Sequence, residues 1–228
     1  MTTIRTIPVH EVVRRTYPRP PPGERDEIAM AVGRAIDGAL AEFGHAVREG
    51  RHPTATAMRR VADALLDDAL AEAAVVLSGS DRATIARQVD GVLQAYRRSE
   101  IFGLARPRTR VIVINDRVAV YAQPDYWDGR GRVFEMKSYR AVPPPPDVAL
   151  QLRLFQLAFP RFEATLVCLN RHAEPVEIVS VRLPPPAAAE ATAALSAAYA
   201  IGREFGQEKV REYLEGPLVH YAIAAPGE

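Results

Sequence analysis

Hydrophobic residues in the first half of the chain recur every three or four positions, which is the spacing that places them on one face of an α-helix. The positions between them are mostly polar or charged, and short clusters rich in Gly, Pro and Ser interrupt the repeats. The pattern therefore predicts three amphipathic helices, over residues 24–49, 53–77 and 81–98.

The second half of the chain changes to short apolar runs, several of which alternate with polar residues as half-buried strands do. Between the first two runs, Asn115-Asp116 predicts a hairpin turn. The predicted elements, in chain order, are strands at 111–114, 118–123 and 133–136, a helix at 147–159, strands at 165–169 and 176–183, and a helix at 187–215. Helices and strands in this mixed order predict an α/β protein.

The segment before the first helix has a different composition. Tyr17 is followed by the run Pro-Arg-Pro-Pro-Pro-Gly, which excludes both a helix and a central strand. We therefore expect residues 1–23 to form an extended arm. Residues 24–80 are expected to form a helical region packed on the core, and residues 81–228 to form the core with a C-terminal helix.

The candidate chemistry lies where the strand from 118 turns into the strand that ends at Lys137. A turn centred on Arg130 places Asp125 opposite Glu135, with Cβ atoms about 4.5–5.5 Å apart. Glu135 and Lys137 are two residues apart on one strand and therefore share a face. Two facing carboxylates repel each other unless a cation lies between them, and their hard oxygen ligands suit Mg²⁺ or Mn²⁺.

Lysine usage supports a special role for this strand. The chain has 29 Lys plus Arg, and its lysines are Lys137 and Lys209. A lysine ammonium is a compact point charge that can contact a water molecule or a phosphate, whereas the planar guanidinium fork needs a different geometry. The alternative interpretation is a surface hairpin that carries an ordinary Glu-x-Lys pair.

These residues resemble a known family signature. Pro124-Asp125 followed by Glu135-Met-Lys137 resembles the signature of the PD-(D/E)xK nuclease superfamily. Gln151-Leu-Arg-Leu-Phe155 is similar to the Gln-x-x-x-Tyr motif of its RecB-like and Cas4-like branch, with Phe in place of Tyr. The resemblance covers residues 81–182. It implies a restriction-endonuclease-like core, in which a mixed central sheet is flanked by helices in the order αβββαβ, with an N-terminal helical region.

The resemblance also implies roles for individual residues. Asp125, Glu135 and the carbonyl group of Met136 would hold Mg²⁺, for which Mn²⁺ would substitute. Lys137 would orient or help to deprotonate the attacking water. Gln151 would bind Lys137 or the DNA backbone, although a helix-surface glutamine is the alternative interpretation.

Two residues of the predicted helices are further candidates for the metal site. His45 lies in the region where RecB-like and Cas4-like nucleases often carry a histidine ligand, and the alternative is an ordinary histidine at a helix end. Glu100 follows the third helix and is a similar candidate.

Basic and aromatic residues near the signature are candidates for contact with nucleic acid. Arg140 and Arg153 could contact phosphate groups. Tyr139, Tyr126 and Trp127 could stack on unpaired bases, although simple packing is an equally common role for such rings.

The implied function is Mg²⁺-dependent hydrolysis of phosphodiester bonds in DNA, by an exonuclease or endonuclease of repair, recombination or defence. The expected substrate is DNA that is single-stranded or has ends; an RNA substrate is a less favoured interpretation. The alternative is a catalytically inactive module of the same fold that binds nucleic acid or a protein partner.

Composition sets the outer limits of this interpretation. A chain of 228 residues with 48% hydrophobic content can bury one substantial core. It has no apolar run near the roughly 18 residues of a membrane span and no signal peptide, so we expect a cytoplasmic protein without a membrane partner. Cys168 is its one cysteine, which excludes the four-cysteine iron–sulfur cluster of typical Cas4 proteins. Because the net charge is +1, DNA affinity must come from local arginine clusters or from a protein partner.

Overall fold

The computed structural model describes residues 5–114, 118–204 and 218–220. Most of the helices come before most of the strands. In order, the elements are β1 (Arg5–Pro8), α1 (Val9–Thr16), α2 (Glu24–Arg48), α3 (Ala55–Glu72), α4 (Gly79–Arg98), β2 (Arg110–Val113), β3 (Val118–Ala122), β4 (Tyr126–Trp127), β5 (Arg132–Lys137), α5 (Pro146–Ala158), β6 (Glu163–Asn170), β7 (Glu177–Leu183), α6 (Ala188–Glu204) and β8 (Leu218–His220).

Local sequence explains where several helices begin. Thr54 caps α3, since its hydroxyl oxygen accepts a hydrogen bond from the backbone N–H of Ala57 at 3.1 Å. Ser78 caps α4 by accepting from the N–H of Asp81 at 3.1 Å. Helix α5 starts with Pro146, whose missing N–H and fixed φ suit the first helical position. Asp147 in its first turn is also ion-paired with Arg19.

The strands form two four-stranded sheets. The first has the order β1-β3-β2-β8, in which β1 is parallel to β3, β2 is antiparallel to β3, and β8 is parallel to β2. The second has the order β4-β5-β6-β7. Its central strands β5 and β6 are parallel and are connected through α5, whereas β4 and β7 are antiparallel to their neighbours.

The helices α2, α3 and α4 cover one face of the second sheet. Phe134 and Met136 of β5 and Val167 and Leu169 of β6 are buried in the same cluster as the apolar faces of these three helices. Tyr96 of α4 is fully buried there as well. The strand that carries Glu135 and Lys137 is therefore buried in the same cluster as α2, α3 and α4.

A second cluster joins α1, α5 and α6 to the first sheet. It contains Val12 of α1, Ile112 of β2, Phe155 of α5 and Ala198 of α6. Val133 of β5 belongs to this cluster, although Phe134 belongs to the other one. Strand β5 is therefore packed on both of its faces, which fixes the position of its polar side chains.

The structure confirms the α/β class, and most predicted elements form. The predicted helices at 24–49, 53–77 and 81–98 correspond to α2, α3 and α4, and those at 147–159 and 187–215 correspond to α5 and α6. The predicted strands at 165–169 and 176–183 correspond to β6 and β7. The Asn115-Asp116 turn and residues 205–215 of the last predicted helix lie outside the described residues.

Two expectations need correction. The extended arm predicted for residues 1–23 is wrong for residues 5–16, because they form β1 and α1 and bury Ile7, Val9 and Val12. The single central sheet is also wrong, because the described strands form two sheets. Strand β3 is paired with β1 on one edge and β2 on the other, so it has no free edge for the hairpin that contains β5.

Candidate active site

The turn between β4 and β5 sets the register of the two acids. Strand β4 pairs antiparallel with β5, with Tyr126 opposite Phe134. One further step along this register places Asp125 opposite Glu135, as the predicted turn at Arg130 requires. The turn is stabilised by Asp128, whose carboxylate accepts hydrogen bonds from the N–H groups of Arg130 and Arg132 at 2.8 and 3.0 Å.

Asp125 is fixed by the backbone of the neighbouring strand. Its Oδ2 atom accepts a hydrogen bond from the N–H of Met136 at 2.8 Å. The N–H of Met136 lies between Glu135 and Lys137 in the chain, so this bond holds Asp125 beside both of them. The side chain of Met136 points away from the acids and is buried against the helices α2–α4.

Lys137 and Gln151 complete a closed hydrogen-bonded cluster with Glu135. The Lys137 ammonium donates to Glu135 Oε1 at 2.7 Å and to Gln151 Oε1 at 3.2 Å. The Gln151 amide donates to the same Oε1 atom of Glu135 at 2.8 Å. Gln151 comes from the second turn of α5, so the helix that connects β5 to β6 orients the acid and the lysine of β5.

The electrostatics of Glu135 are those of a buried acid beside another acid. Its side chain is almost inaccessible to solvent. Burial raises its pKa most, the negative charge of Asp125 raises it further, and Lys137 opposes both effects. For Lys137, burial lowers the pKa, but the attraction of Glu135 outweighs it and the net shift is upward.

Glu135 and Lys137 form an ion pair at 2.7 Å, since one oxygen of Glu135 accepts hydrogen bonds from both Lys137 and Gln151. A charged Glu135 then leaves a like-charge contact with Asp125. That contact needs a proton or a cation between the two carboxyl groups.

Asp37 of α2 is a third acid that the sequence interpretation missed. Its side chain is exposed to water, yet burial by surrounding protein raises its pKa to about 7, and the charge of Asp125 adds to this shift. Lys137, Arg106 and Arg171 lower it. Contact with water weakens this effect of burial.

Arg171 links α2 to the end of β5. Its guanidinium is buried and donates to the hydroxyl oxygen of Ser138 at 2.7 Å and to the carbonyl oxygen of Ala29 at 3.3 Å. Its Nε atom has no hydrogen-bond partner among the described residues. A buried arginine without a carboxylate partner is unfavourable by itself, and here its charge lies within electrostatic reach of Asp37.

The structure does not bring His45 or Glu100 to this cluster. His45 is half exposed and lies 3.3 Å from Glu49. It follows Asp37 by about two helical turns, or about 12 Å along α2. Glu100 is ion-paired with Arg132 at 2.7 Å, so it stabilises the base of the hairpin. The acid of α2 whose charge interacts with the cluster is Asp37.

The candidate nucleic-acid contacts have different surroundings. Tyr126 is buried against Tyr96, so the prediction that its ring stacks on bases is wrong. Arg153 is held by Glu190, Gln156 and the carbonyl oxygen of Pro184, so the predicted phosphate contact at Arg153 does not fit its position. Tyr139 packs partly against a small apolar cluster. Arg140 is exposed.

The side chains of this cluster provide only some of the ligands that a Mg²⁺ ion needs. Among the described residues, no group of three His, Cys, Asp or Glu side chains is arranged to hold a metal ion. The protein offers the facing carboxyl groups of Asp125 and Glu135. Mg²⁺ is commonly held by one or two carboxylates together with water and substrate phosphate, so an acid pair of this kind suits it.

None of the described helices is long and apolar enough to cross a membrane.

Comparisons with known proteins add little to this geometry. No protein-family model and no curated protein matches the chain. A solved structure titled "Crystal structure of SSO0001" is similar over 84% of this chain and 81% of its own chain, with 13% sequence identity and a TM-score of 0.34. A similarity at this level supports no conclusion about fold or function.

Proposed function

We propose that the chain is a Mg²⁺-dependent deoxyribonuclease of the PD-(D/E)xK type that hydrolyses phosphodiester bonds. The observation that supports this most is the cluster of Asp125, Glu135, Lys137 and Gln151. Two acids, one lysine and one glutamine come from three different elements and meet in one hydrogen-bonded group. An ordinary surface Glu-x-Lys pair would have no reason to be buried beside a second acid.

In this proposal Asp125 and Glu135 hold the metal ion, and the carbonyl group of Met136 is a further ligand. Bound Mg²⁺ supplies Lewis-acid chemistry, since it polarises a phosphate oxygen and lowers the pKa of a coordinated water. The metal also relieves the repulsion between the two carboxyl groups, which otherwise requires a shared proton. Metal binding is therefore expected to release a proton near neutral pH.

Lys137 has the role of a positioned cation. Its ammonium can donate to the attacking water or to a phosphate oxygen, and it stabilises negative charge that develops there. Gln151 holds the ammonium on one side, and Glu135 holds it on the other. Because the raised pKa keeps Lys137 protonated, it acts through its charge and its hydrogen bonds rather than as a free base at neutral pH.

Asp37 is proposed as the acid that the helical region contributes to this centre. It shares the electrostatic field of Asp125 and Lys137 and remains open to solvent. Its carboxyl group could therefore accept a hydrogen bond from a water molecule on the α2 side of the centre, opposite the side that Gln151 occupies.

Metal binding is the first test of this proposal. Isothermal titration calorimetry with Mn²⁺ should show a site in the wild type that is lost in Asp125→Ala and retained in Glu49→Ala, which removes an exposed acid elsewhere on the surface. In buffers of different ionisation enthalpy, the same titration should report proton release. Absence of Mn²⁺ binding by the folded wild type would instead favour an inactive module that binds nucleic acid or a protein.

The type of nuclease is tested with linear and covalently closed circular DNA. Cleavage of both forms indicates an endonuclease, and cleavage of linear DNA alone indicates an exonuclease. Single-stranded and double-stranded versions of each substrate give the strand preference.

A further inference from the structure

Arg106 lies beside the acid pair through backbone pairing. Trp127 of β4 is paired antiparallel with Ala105, and the N–H of Trp127 donates to the carbonyl oxygen of Ala105 at 2.9 Å. Arg106 follows Ala105 directly in the chain, and Tyr126 and Asp125 directly precede Trp127. The segment that contains Arg106 is therefore next to β4 on the edge away from β5.

The charge of Arg106 acts on Asp37 of α2 and on Tyr126, the residue next to Asp125. Asp37 in turn interacts electrostatically with Asp125 and Lys137. Together with the pairing of Ala105 and Trp127, these interactions place Arg106 at the α2 side of the acid cluster.

Arg106 is also a cation of this region that remains available. It is exposed, and it makes no hydrogen bond or ion pair with any residue that the structure describes. Its neighbours are engaged: Arg132 binds Asp128 and Glu100, and Arg48 donates to the carbonyl oxygen of Leu104 at 2.8 Å. Lys137 is held within the acid cluster.

A site built from acids repels a polyanionic substrate unless a cation offsets that repulsion. Arginine suits this purpose, because its fork of N–H donors matches the geometry of phosphate oxygens. We propose that Arg106 binds a backbone phosphate of the nucleic-acid strand next to the phosphate at the acid pair, and so holds the strand between α2 and β4. This inference rests on the proposed nuclease function.

The test compares Arg106→Gln with Arg108→Gln. Arg108 is exposed, makes no hydrogen bond or ion pair with the residues that the structure describes, and lies two residues away, so its replacement removes the same charge from the same segment. Affinity for a fluorescently labelled single-stranded oligonucleotide is measured by anisotropy with Ca²⁺ in place of Mg²⁺. Michaelis constants are measured with Mg²⁺.

Arg106→Gln should weaken binding about tenfold, and the slope of log Kd against log salt should fall by about 0.7, as expected for one lost phosphate contact on a single strand. The Michaelis constant should rise while kcat changes less. Arg106→Lys should recover part of the affinity. Arg108→Gln should behave nearly as the wild type.

Equal effects of the Arg106 and Arg108 substitutions, in a protein that cleaves DNA, would overturn the role of Arg106 and leave the nuclease proposal standing. A wild type that neither binds nor cleaves the oligonucleotide with any divalent metal would overturn both. Circular dichroism and thermal melts of the variants show whether each one is folded.

Discussion

Replacing Lys137 with methionine tests the charge balance of the acid cluster without metal or DNA. Methionine keeps an unbranched side chain, but it removes the ammonium that donates to Glu135 at 2.7 Å and to Gln151 at 3.2 Å. Glu135 is 5% exposed, so water cannot take over the role of the ammonium. The substitution leaves a buried acid next to Asp125 without its cation.

The expected loss of stability depends on pH. Removing one partner of a buried ion pair costs about 3–5 kcal/mol while the remaining group stays charged. Glu135 avoids part of this cost by binding a proton, because burial and Asp125 already raise its pKa and Lys137 opposes that rise. Near pH 5 the variant should therefore lose little more than its hydrogen bonds, about 1 kcal/mol, and near pH 9 it should approach the full cost.

The direction in which stability changes with pH follows from proton linkage. A carboxyl group with a raised folded-state pKa binds its proton more tightly in the folded chain. Its contribution to stability therefore falls as pH rises from the unfolded value of 4.5 towards the folded value, by at most about 1.4 kcal/mol per pH unit. Removing Lys137 raises that folded value further. The wild-type Lys137 stays charged over the same range, since its own pKa is raised above 10.5.

Urea denaturation between pH 5 and pH 9 with a chelator measures this difference. The wild type, Lys137→Met, Glu135→Gln and the double variant form a double-mutant cycle. The free-energy difference between wild type and Lys137→Met should grow with pH, and in the Glu135→Gln background it should be small and constant. A difference that is independent of pH, or the same pH dependence without the Glu135 carboxyl, would refute the proposed ion pair.

Two further predictions concern the helical region and the packing of α6. Asp37→Asn should weaken Mn²⁺ binding in calorimetry by about tenfold, or about 1.4 kcal/mol, whereas His45→Ala should leave it unchanged. The reverse result would show that His45, and not Asp37, contributes to the metal site. Gly202→Ala should destabilise the protein by about 1–3 kcal/mol in urea titrations, despite the higher helix propensity of Ala, because the added Cβ would overlap the side chain of Val118. Val118→Ala should remove most of that cost, and a Gly202→Ala variant as stable as the wild type would contradict the packing of α6 on β3.

The turn between β4 and β5 was predictable from the sequence. Its centre at Arg130 sets the register of the two strands, and Gly129 and Gly131 have the positive φ angles that such a turn requires. The periodic helices α2, α3 and α4 and the helix α5 were also predictable, since each carries an apolar face of the correct spacing.

Contacts between distant parts of the chain were not predictable in this way. Asp37 lies between Ile36 and Leu40, on what periodicity identifies as the solvent side of α2, and only the tertiary packing of α2 in the first hydrophobic cluster brings it within electrostatic range of Asp125. In the sequence, Asp37 is recognisable only as a polar position flanked by apolar ones, and most helices contain such positions. His45 drew attention because of its residue type, although its side chain contacts Glu49.

The division into two sheets was also beyond local patterns. Strand β1 has four residues and pairs with β3 more than 100 positions later in the chain, with Ile7 opposite Val120. Short strands in parallel pairs have no hairpin turn to identify the partner. The same pairing explains why residues 5–16 are part of the fold, because β1 and the buried face of α1 contribute to the second hydrophobic cluster.

The most direct measurement is cleavage of end-labelled DNA by the wild type and by Lys137→Ala, with Mg²⁺, with Mn²⁺ and with chelator. The account predicts products from the wild type that require the metal, and at least a hundredfold lower rate in the variant, because removing a positioned charge at a developing oxyanion typically costs about 10²–10³ in rate. Folded wild-type protein that cleaves neither single-stranded nor double-stranded DNA with either metal, or a Lys137→Ala variant that cleaves at the wild-type rate, would contradict it.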